Sequence, residues 1–186
     1  MSAFTKKAIA DSFLKLLREK PIDKITIKDI VEDCGINRNT FYYHFEDVPA
    51  LVEVILREET ERVLGEHLGE DSWEEGFIAA ARFALENKRS IYHIYNSVNR
   101  EIFEQYLNRI GMDVMERFVE KAAKGYEVQE EDKRLMASFY RAALTGMILD
   151  WLSSGMNYEP EDVIRRLGVM LAGGIEGAFA NMSHMG

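Results

Sequence analysis

In the stretch CGINRNTFYYHF, Cys34 to Phe45, six side chains with hydrogen-bond donors follow Asn37: Arg38, Asn39, Thr40, Tyr42, Tyr43 and His44. Arginine matches a guanine edge bidentately and asparagine an adenine edge, while threonine, tyrosine and histidine can donate to phosphate oxygens. The chemistry open to such a set is recognition of nucleic acid, not the making of bonds. Constellations that would support catalysis are weak by comparison. The four histidines stand apart at 44, 67, 93 and 184, no glycine-rich phosphate loop follows a strand pattern, and the single cysteine, Cys34, falls in a turn. An enzyme reading therefore has little to rest on, no metal site or cofactor is expected, and no intrachain disulfide is possible.

For the donors to form one surface, the segment must be a helix whose other face is buried. Phe41 and Phe45 stand four apart, share a helix face, and are expected to pack under Ile9, Phe13, Leu17, Ile30 and Val31. Asn37 is a good N-cap for that helix, and Gly35 breaks the one before it. Thr26 with Asp29 resembles a capping box and opens that preceding helix, which carries Ile27, Ile30 and Val31. Two short helices joined at DCGI make a helix-turn-helix, whose second helix can enter a major groove about 12 Å wide. A small helical subdomain with a polar surface would offer the same geometry without binding DNA, and a non-DNA-binding helical scaffold is kept as an alternative of another class.

The same spacing of three and four runs through the rest of the chain, and proline is scarce, at Pro21, Pro49 and Pro160 only. The pattern predicts an all-α protein of about nine helices. The first carries Ile9, Phe13, Leu16 and Leu17 and ends at Lys20-Pro21. Asp47 caps a helix with Pro49 in its first turn, reaching about Leu64. Ser72 with Glu75 opens another to about Asn87, a shorter one covers Ser90 to Val98, and a longer one covers Glu101 to Lys124, ended by Gly125. EVQEEDK is an acidic linker and helix start leading into Leu135 to Leu152, and the last helix runs from about Pro160 to Asn181.

Composition sets the outer bounds. The 186 residues are 47% hydrophobic and 30% charged, a globular balance. With no cleavable apolar leader and no uninterrupted apolar run of about 18 residues, the chain is expected to be soluble and cytoplasmic, with no membrane partner. The formal net charge of -9 is hostile to DNA only until it is divided. Residues 1 to 47 carry eight basic and eight acidic side chains, so the whole excess lies in residues 48 to 186. Charges beyond a Debye length of about 8 Å are screened, and an acidic body does not forbid a local site on a neutral head. The expected organisation is a DNA-binding head, 1 to 47, and a body, 48 to 186, with the helix 48 to 64 connecting them.

The segment TIKDIVEDCGINRNTFYYHFEDVPAL resembles the DNA-binding signature of the tetracycline-repressor (TetR) family of bacterial transcriptional regulators, over about residues 5 to 55. The resemblance implies an all-helical homodimer whose two heads read a palindromic operator in double-stranded DNA, and a C-terminal domain for dimerisation and ligand sensing. Carried over by position, Thr26, Lys28, Arg38, Thr40, Tyr42, Tyr43 and His44 would face DNA. Tyr42 matches the family's phosphate-touching tyrosine, and Arg38, Asn39 and Tyr43 sit at its variable positions. Two positions depart from the pattern: Val48 stands where a phosphate-holding lysine is common, and Phe41 where leucine is more usual. Downstream, HIYNSVNREIFEQYL, His93 to Leu107, resembles the C-terminal domain of a Gram-positive subgroup that includes regulators linked to dihydroxyacetone kinase.

Two further expectations concern the body. His93, Asn96 and Asn99 recur every third position and would line a ligand cavity with Tyr92, Tyr95, Phe103, Tyr106, Phe139, Tyr140 and Met147, against the plainer reading of a core with a few satisfied polar groups. His93 is expected to be hydrogen-bonded and not a metal ligand. Ala137, Ala142, Ala143 and Gly146, and Ala172, Gly173, Gly174, Gly177 and Ala178, are too small to fill a core, so the last two helices, about 135 to 152 and 160 to 181, are expected to form the dimer interface. Leu144, Ile148, Trp151, Leu167, Met170, Leu171, Ile175 and Phe179 would supply its apolar contact. The function expected is a repressor released from its operator by a small molecule; an activator, or a regulator controlled by a partner protein, is the alternative.

Overall fold

The computed structural model describes residues 2–64, 73–97 and 100–183, and most of them are helical. Nine α-helices are present among these residues: α1 Ser2–Glu19, α2 Ile27–Cys34, α3 Arg38–His44, α4 Val48–Leu64, α5 Trp73–Glu86, α6 Lys88–Tyr95, α7 Arg100–Ala122, α8 Glu130–Ser153 and α9 Glu161–Ser183. A short 3-10 turn, Ile22–Lys24, precedes α2, and no described residue is in a strand. The all-α expectation holds. No described helix is long and apolar enough to cross a membrane.

The helix ends follow local chemistry. Pro21 ends the run of α1, and Thr26 and Asp29 form a reciprocal capping box at the start of α2. Gly35 takes the left-handed conformation, φ 70°, that a side chain with a Cβ adopts at a cost, and so closes α2. Asn37 caps α3, and Asp47 Oδ1 accepts the Ala50 amide at 2.8 Å to start α4, which leaves Pro49 in the first turn where its missing N–H costs nothing. Helix α8 begins at Glu130, inside the acidic EVQEEDK segment expected to start it, where Glu130, Glu131 and Asp132 favour the positive end of a helix dipole. Helix α6 is displaced, starting at Lys88 and closing at Tyr95. The cap expected at Ser72 lies outside the described residues.

The chain divides into two compact units. The first takes in residues 1–62 and 86–106, and α1 packs there against α2 and α6, and α2 against α3. Ile9, Phe13 and Leu17 of α1, Ile30 and Val31 of α2, Phe41 and Phe45 around α3, and Leu51, Val52 and Ile55 of α4 are all buried. Each such side chain contributes roughly 1.5–3 kcal/mol relative to exposure. Polar links add orientation: Ser12 donates to the Ile30 carbonyl at 3.2 Å, Tyr106 donates to the Leu56 carbonyl at 2.5 Å, and Lys6 pairs with Glu58 at 2.8 Å.

The second unit takes in residues 63–85 and 107–186. Its core is Val114, Met115 and Val119 of α7, Ala137, Tyr140 and Leu144 of α8, and Ile175 and Phe179 of α9, with Trp73, Phe77 and Phe118 packed against it. A charge chain runs along its surface: Arg82 pairs with Glu161 at 2.5 Å, Glu161 with Arg165 at 3.1 Å, and Arg165 with Glu75 at 2.9 Å. These pairs are exposed, and each contributes little on its own.

One expectation about this unit is corrected. Of the apolar residues expected to reach a partner from α8 and α9, Leu144, Trp151, Ile175 and Phe179 are buried within the chain itself, and Met170 is exposed. Both faces of these helices are apolar, so periodicity alone does not say which one faces inward. The outward face instead carries Leu135, Phe139, Ala142, Ala143 and Gly146 on α8, and Val169, Met170, Gly173 and Gly177 on α9.

Candidate nucleic-acid interface

Helix α3 is only seven residues long, too short to be stable without packing, and two aromatic anchors hold it in place. Phe41 is completely buried and Phe45 nearly so, with their ring centroids 5.8 Å apart. The N-terminus is held by Asn37, whose Oδ1 accepts from the Thr40 amide at 2.8 Å and from the Thr40 hydroxyl at 3.1 Å. Phe41 and Phe45 thus define the inner side of the segment, and the expected donors are left to the other.

Arg38, Asn39, Tyr42 and Tyr43 are exposed, Tyr43 to 79% and Tyr42 to 55%. None of the four uses a side-chain polar atom in a hydrogen bond among the described residues. Their ring contacts are edge-on, Tyr42 with Phe41 at 5.9 Å and Tyr43 with His44 at 5.0 Å, which steadies the rings without occupying the hydroxyls. Thr40 and His44 are half-buried, and Thr40 already donates to Asn37. A free guanidinium, a free carboxamide and two free phenols on one short helix suit base edges and phosphates.

The first turn of α2 lies beside this set in sequence, across the Gly35 turn. Lys28 is exposed and stands 3.7 Å from Glu32, a loose pair that phosphate can displace. The Thr26 hydroxyl donates to the Asp29 carboxylate at 2.8 Å and accepts from the Asp29 amide at 3.2 Å, so the capping box already uses it in both senses. Asp29 takes hydrogen bonds from the Thr26 backbone and side chain and from Lys20, which hold its carboxyl down to about 2. Val48, at the position where a lysine would grip phosphate, is half-buried. Cys34 is half-buried, and burial pushes its thiol up, away from the reactive thiolate.

Two models of known families match these regions. Residues 5–55 match bacterial regulatory proteins of the tetR family, and residues 71–173 match the TetR-type transcriptional regulator C-terminal region. The chain belongs to the TetR family. It is 20% identical over 161 residues to the HTH-type dhaKLM operon transcriptional activator DhaS of Lactococcus lactis subsp. lactis (strain IL1403), across 85% of this chain and 84% of that protein. It is 25% identical over 169 residues to the HTH-type transcriptional regulator YxbF of Bacillus subtilis (strain 168), across 87% of this chain and 43% of that protein. Among solved structures, the dihydroxyacetone kinase operon activator DhaS matches with a TM-score of 0.73 at 20% identity, covering 92% of this chain and 96% of that one. A TetR transcriptional regulator from Streptococcus agalactiae 2603V matches at 0.61 and 21% identity, covering 91% and 94%.

As a TetR-family transcriptional regulator the protein has α2 and α3 as its DNA-binding helix-turn-helix, in a family of regulators and not of enzymes. The residues expected to line a ligand cavity divide between the two units. Tyr92, His93, Tyr95, Asn96, Phe103 and Tyr106 lie in the first, Phe139, Tyr140 and Met147 lie in the second, where Phe139 is exposed, and Asn99 lies outside the described residues. Phe103 and Tyr140 are buried, whereas Asn96 is exposed and its amide donates to the Tyr92 carbonyl at 3.2 Å.

His93 has a role that sequence spacing did not reveal. Its Nδ1 lies 2.7 Å from the Leu17 carbonyl, one of the last-turn carbonyls of α1 that no helical N–H can reach. A carbonyl only accepts, so Nδ1 carries the proton, and α6 is tied to α1 through it. The partners are 76 residues apart, and no local signal could have paired them. No group of three or more metal-ligating side chains occurs among the described residues.

Proposed function

We propose that this TetR-family regulator is a cytoplasmic homodimeric repressor that leaves a palindromic operator when a small molecule binds its body. The observation that carries the DNA-reading part is the division of α3: Phe41 and Phe45 are buried, while Arg38, Asn39, Tyr42 and Tyr43 are exposed and free of intramolecular hydrogen bonds. Arg38 and Asn39 would read base edges, Tyr42, Tyr43 and His44 would complete the recognition face, and Thr26, Lys28 and Thr40 would contact the backbone. Residues 1–47 would do the reading, and residues 48–186 the sensing and dimerising.

Dimerisation is supported by what α8 and α9 leave outside. Leu135, Phe139, Ala142 and Gly146 form a stripe at spacings of four, three and four, and Val169, Met170, Gly173 and Gly177 form another. Two such helices from each subunit would make a four-helix interface. Pairing the subunits would set two copies of α3 about 34 Å apart, one turn of DNA. A ligand that favours a different separation would remove their joint engagement, and affinity would fall.

The test is retardation of the protein's own upstream DNA at low salt, with Arg38→Ala and Tyr42→Ala as variants. The proposal expects a shifted band from the wild type and a weakened one from each variant. If no fragment is retarded and neither variant changes expression in the cell, a non-DNA-binding scaffold is the better account. A second reading is activation, the role of the related activator DhaS. Deleting the gene separates the two, because target transcripts rise on loss of a repressor and fall on loss of an activator.

A further inference from the structure

Among the described residues, one buried side-chain nitrogen or oxygen lacks a hydrogen-bond partner, and it is the indole Nε1 of Trp73, at the start of α5. The protein's other tryptophan shows the ordinary solution, since Trp151 Nε1 donates to the Tyr158 carbonyl at 3.0 Å. A buried donor left unpaired costs about 1–3 kcal/mol, and most native structures avoid it. The surroundings of Trp73 are a wall of rings. Phe77 packs edge-on at 5.3 Å, Phe118 of α7 at 6.2 Å, and Tyr140 of α8 stands 6.3 Å beyond Phe118.

Tyr140 is the second underused donor on this wall. It is buried, its hydroxyl makes no hydrogen bond among the described residues, and burial alone pushes its pKa up, so the phenol keeps its proton. Gly174 of α9 lies beside the hydroxyl, and a Cβ there would stand in ordinary contact, 3.6 Å from the oxygen. Two donors without acceptors and four aromatic rings therefore sit in one unit, where a ligand would be held by apolar walls and a few polar groups. The four rings carry no charge, so an ionic ligand would lose its hydration among them without repayment and a neutral one is favoured.

We propose that Trp73, Phe77, Phe118 and Tyr140 form the effector site, and that it takes a small neutral aromatic molecule whose ketone, ester or ether oxygen accepts the Trp73 N–H. The inference rests on the reading of the body as a ligand sensor. In the expected complex the oxygen satisfies the indole, the Tyr140 hydroxyl supplies a second donor, and the ring packs edge-on among the aromatic walls.

The test uses the full chain labelled with 15N at its indoles, which gives two indole cross-peaks, assigned with Trp151→Phe. Acetophenone is the probe, and ethylbenzene, of the same shape without the oxygen, is its control. In the free protein the Trp73 proton should resonate upfield of the hydrogen-bonded Trp151 proton. Acetophenone should move it downfield saturably and leave Trp151 in place, and ethylbenzene should bind about tenfold more weakly, the loss expected when a buried donor goes unpaired. Trp73→Phe should abolish that preference. The proposal falls if the free Trp73 proton already resonates downfield, if acetophenone gives no saturable shift, or if the two probes bind the wild type alike. Should Trp73→Phe fail to fold, the wild-type titration decides. DNA retardation is read separately: binding of upstream DNA without an acetophenone shift sinks the site and leaves the regulator standing, and a shift without any DNA binding does the reverse.

Discussion

Two glycines on α9 give a prediction whose sign depends on the assay. An added Cβ at Gly173 or Gly177 would meet nothing within 4 Å in the chain, so Gly173→Ala and Gly177→Ala cost no internal space. Alanine is favoured over glycine inside a helix by about 0.8–1 kcal/mol, which makes the double variant about 2 kcal/mol more stable as a monomer. For a chain of this length that corresponds to a rise in Tm of roughly 4–8 °C. A dimer packed on this face responds in the opposite sense. Two methyls from each subunit would enter a close helix contact, and overpacking costs typically 1–3 kcal/mol for each. The low end, about 4 kcal/mol, is close to a thousandfold increase in the dimer dissociation constant. Sedimentation equilibrium over a concentration series measures the dimer, and thermal unfolding of the dilute monomer measures the fold. A double variant that melts higher and dimerises like the wild type would refute the α9 interface.

Four other outcomes follow from the same structure. Phe41→Ala, at a fully buried position, should cost about 3–5 kcal/mol in denaturant unfolding, whereas exposed Tyr43→Ala should stay within about 0.5 kcal/mol yet weaken DNA binding. Thr26→Ala should lower stability by about 1 kcal/mol through loss of the α2 cap, measured by the same unfolding assay. Asp29 is held at about 2, below its ordinary value near 3.8, so its contribution is complete above about pH 4 and is lost as the pH falls towards 2. Asp29→Asn should therefore be less stable than the wild type at pH 7, with the gap closing by pH 2. If Lys28 of each head neutralises a phosphate, Lys28→Ala should reduce the magnitude of the log–log salt slope of operator binding by about 2, whereas a base-reading Arg38 changes sequence preference more than the slope.

Much of the helix-turn-helix was legible in the sequence because its determinants are local. Thr26 and Asp29 are three apart, Asn37 and Thr40 are three apart, and Gly35 needs only its own φ. Burial of Phe41 and Phe45 followed from their spacing of four. The long helices were less legible. Leu144 and Phe139 are both apolar residues of α8, but the first is buried and the second is 64% exposed, a choice made by α7 and α9 packing on one face. The His93 link to Leu17 and the unpaired indole of Trp73 depend on which acceptors the fold brings near, which no spacing encodes.

The central claim is that the exposed side of α3 reads DNA, and the most direct measurement is to sequence the genomic DNA bound by the protein, in parallel for the wild type, Arg38→Ala and Tyr43→Ala. The account predicts an enriched palindrome whose half-sites lie about one turn, 34 Å, apart. It predicts that the enrichment is lost or relaxed in both variants, although they fold like the wild type. Enrichment of the same site by all three proteins, or of no site by any, would contradict it.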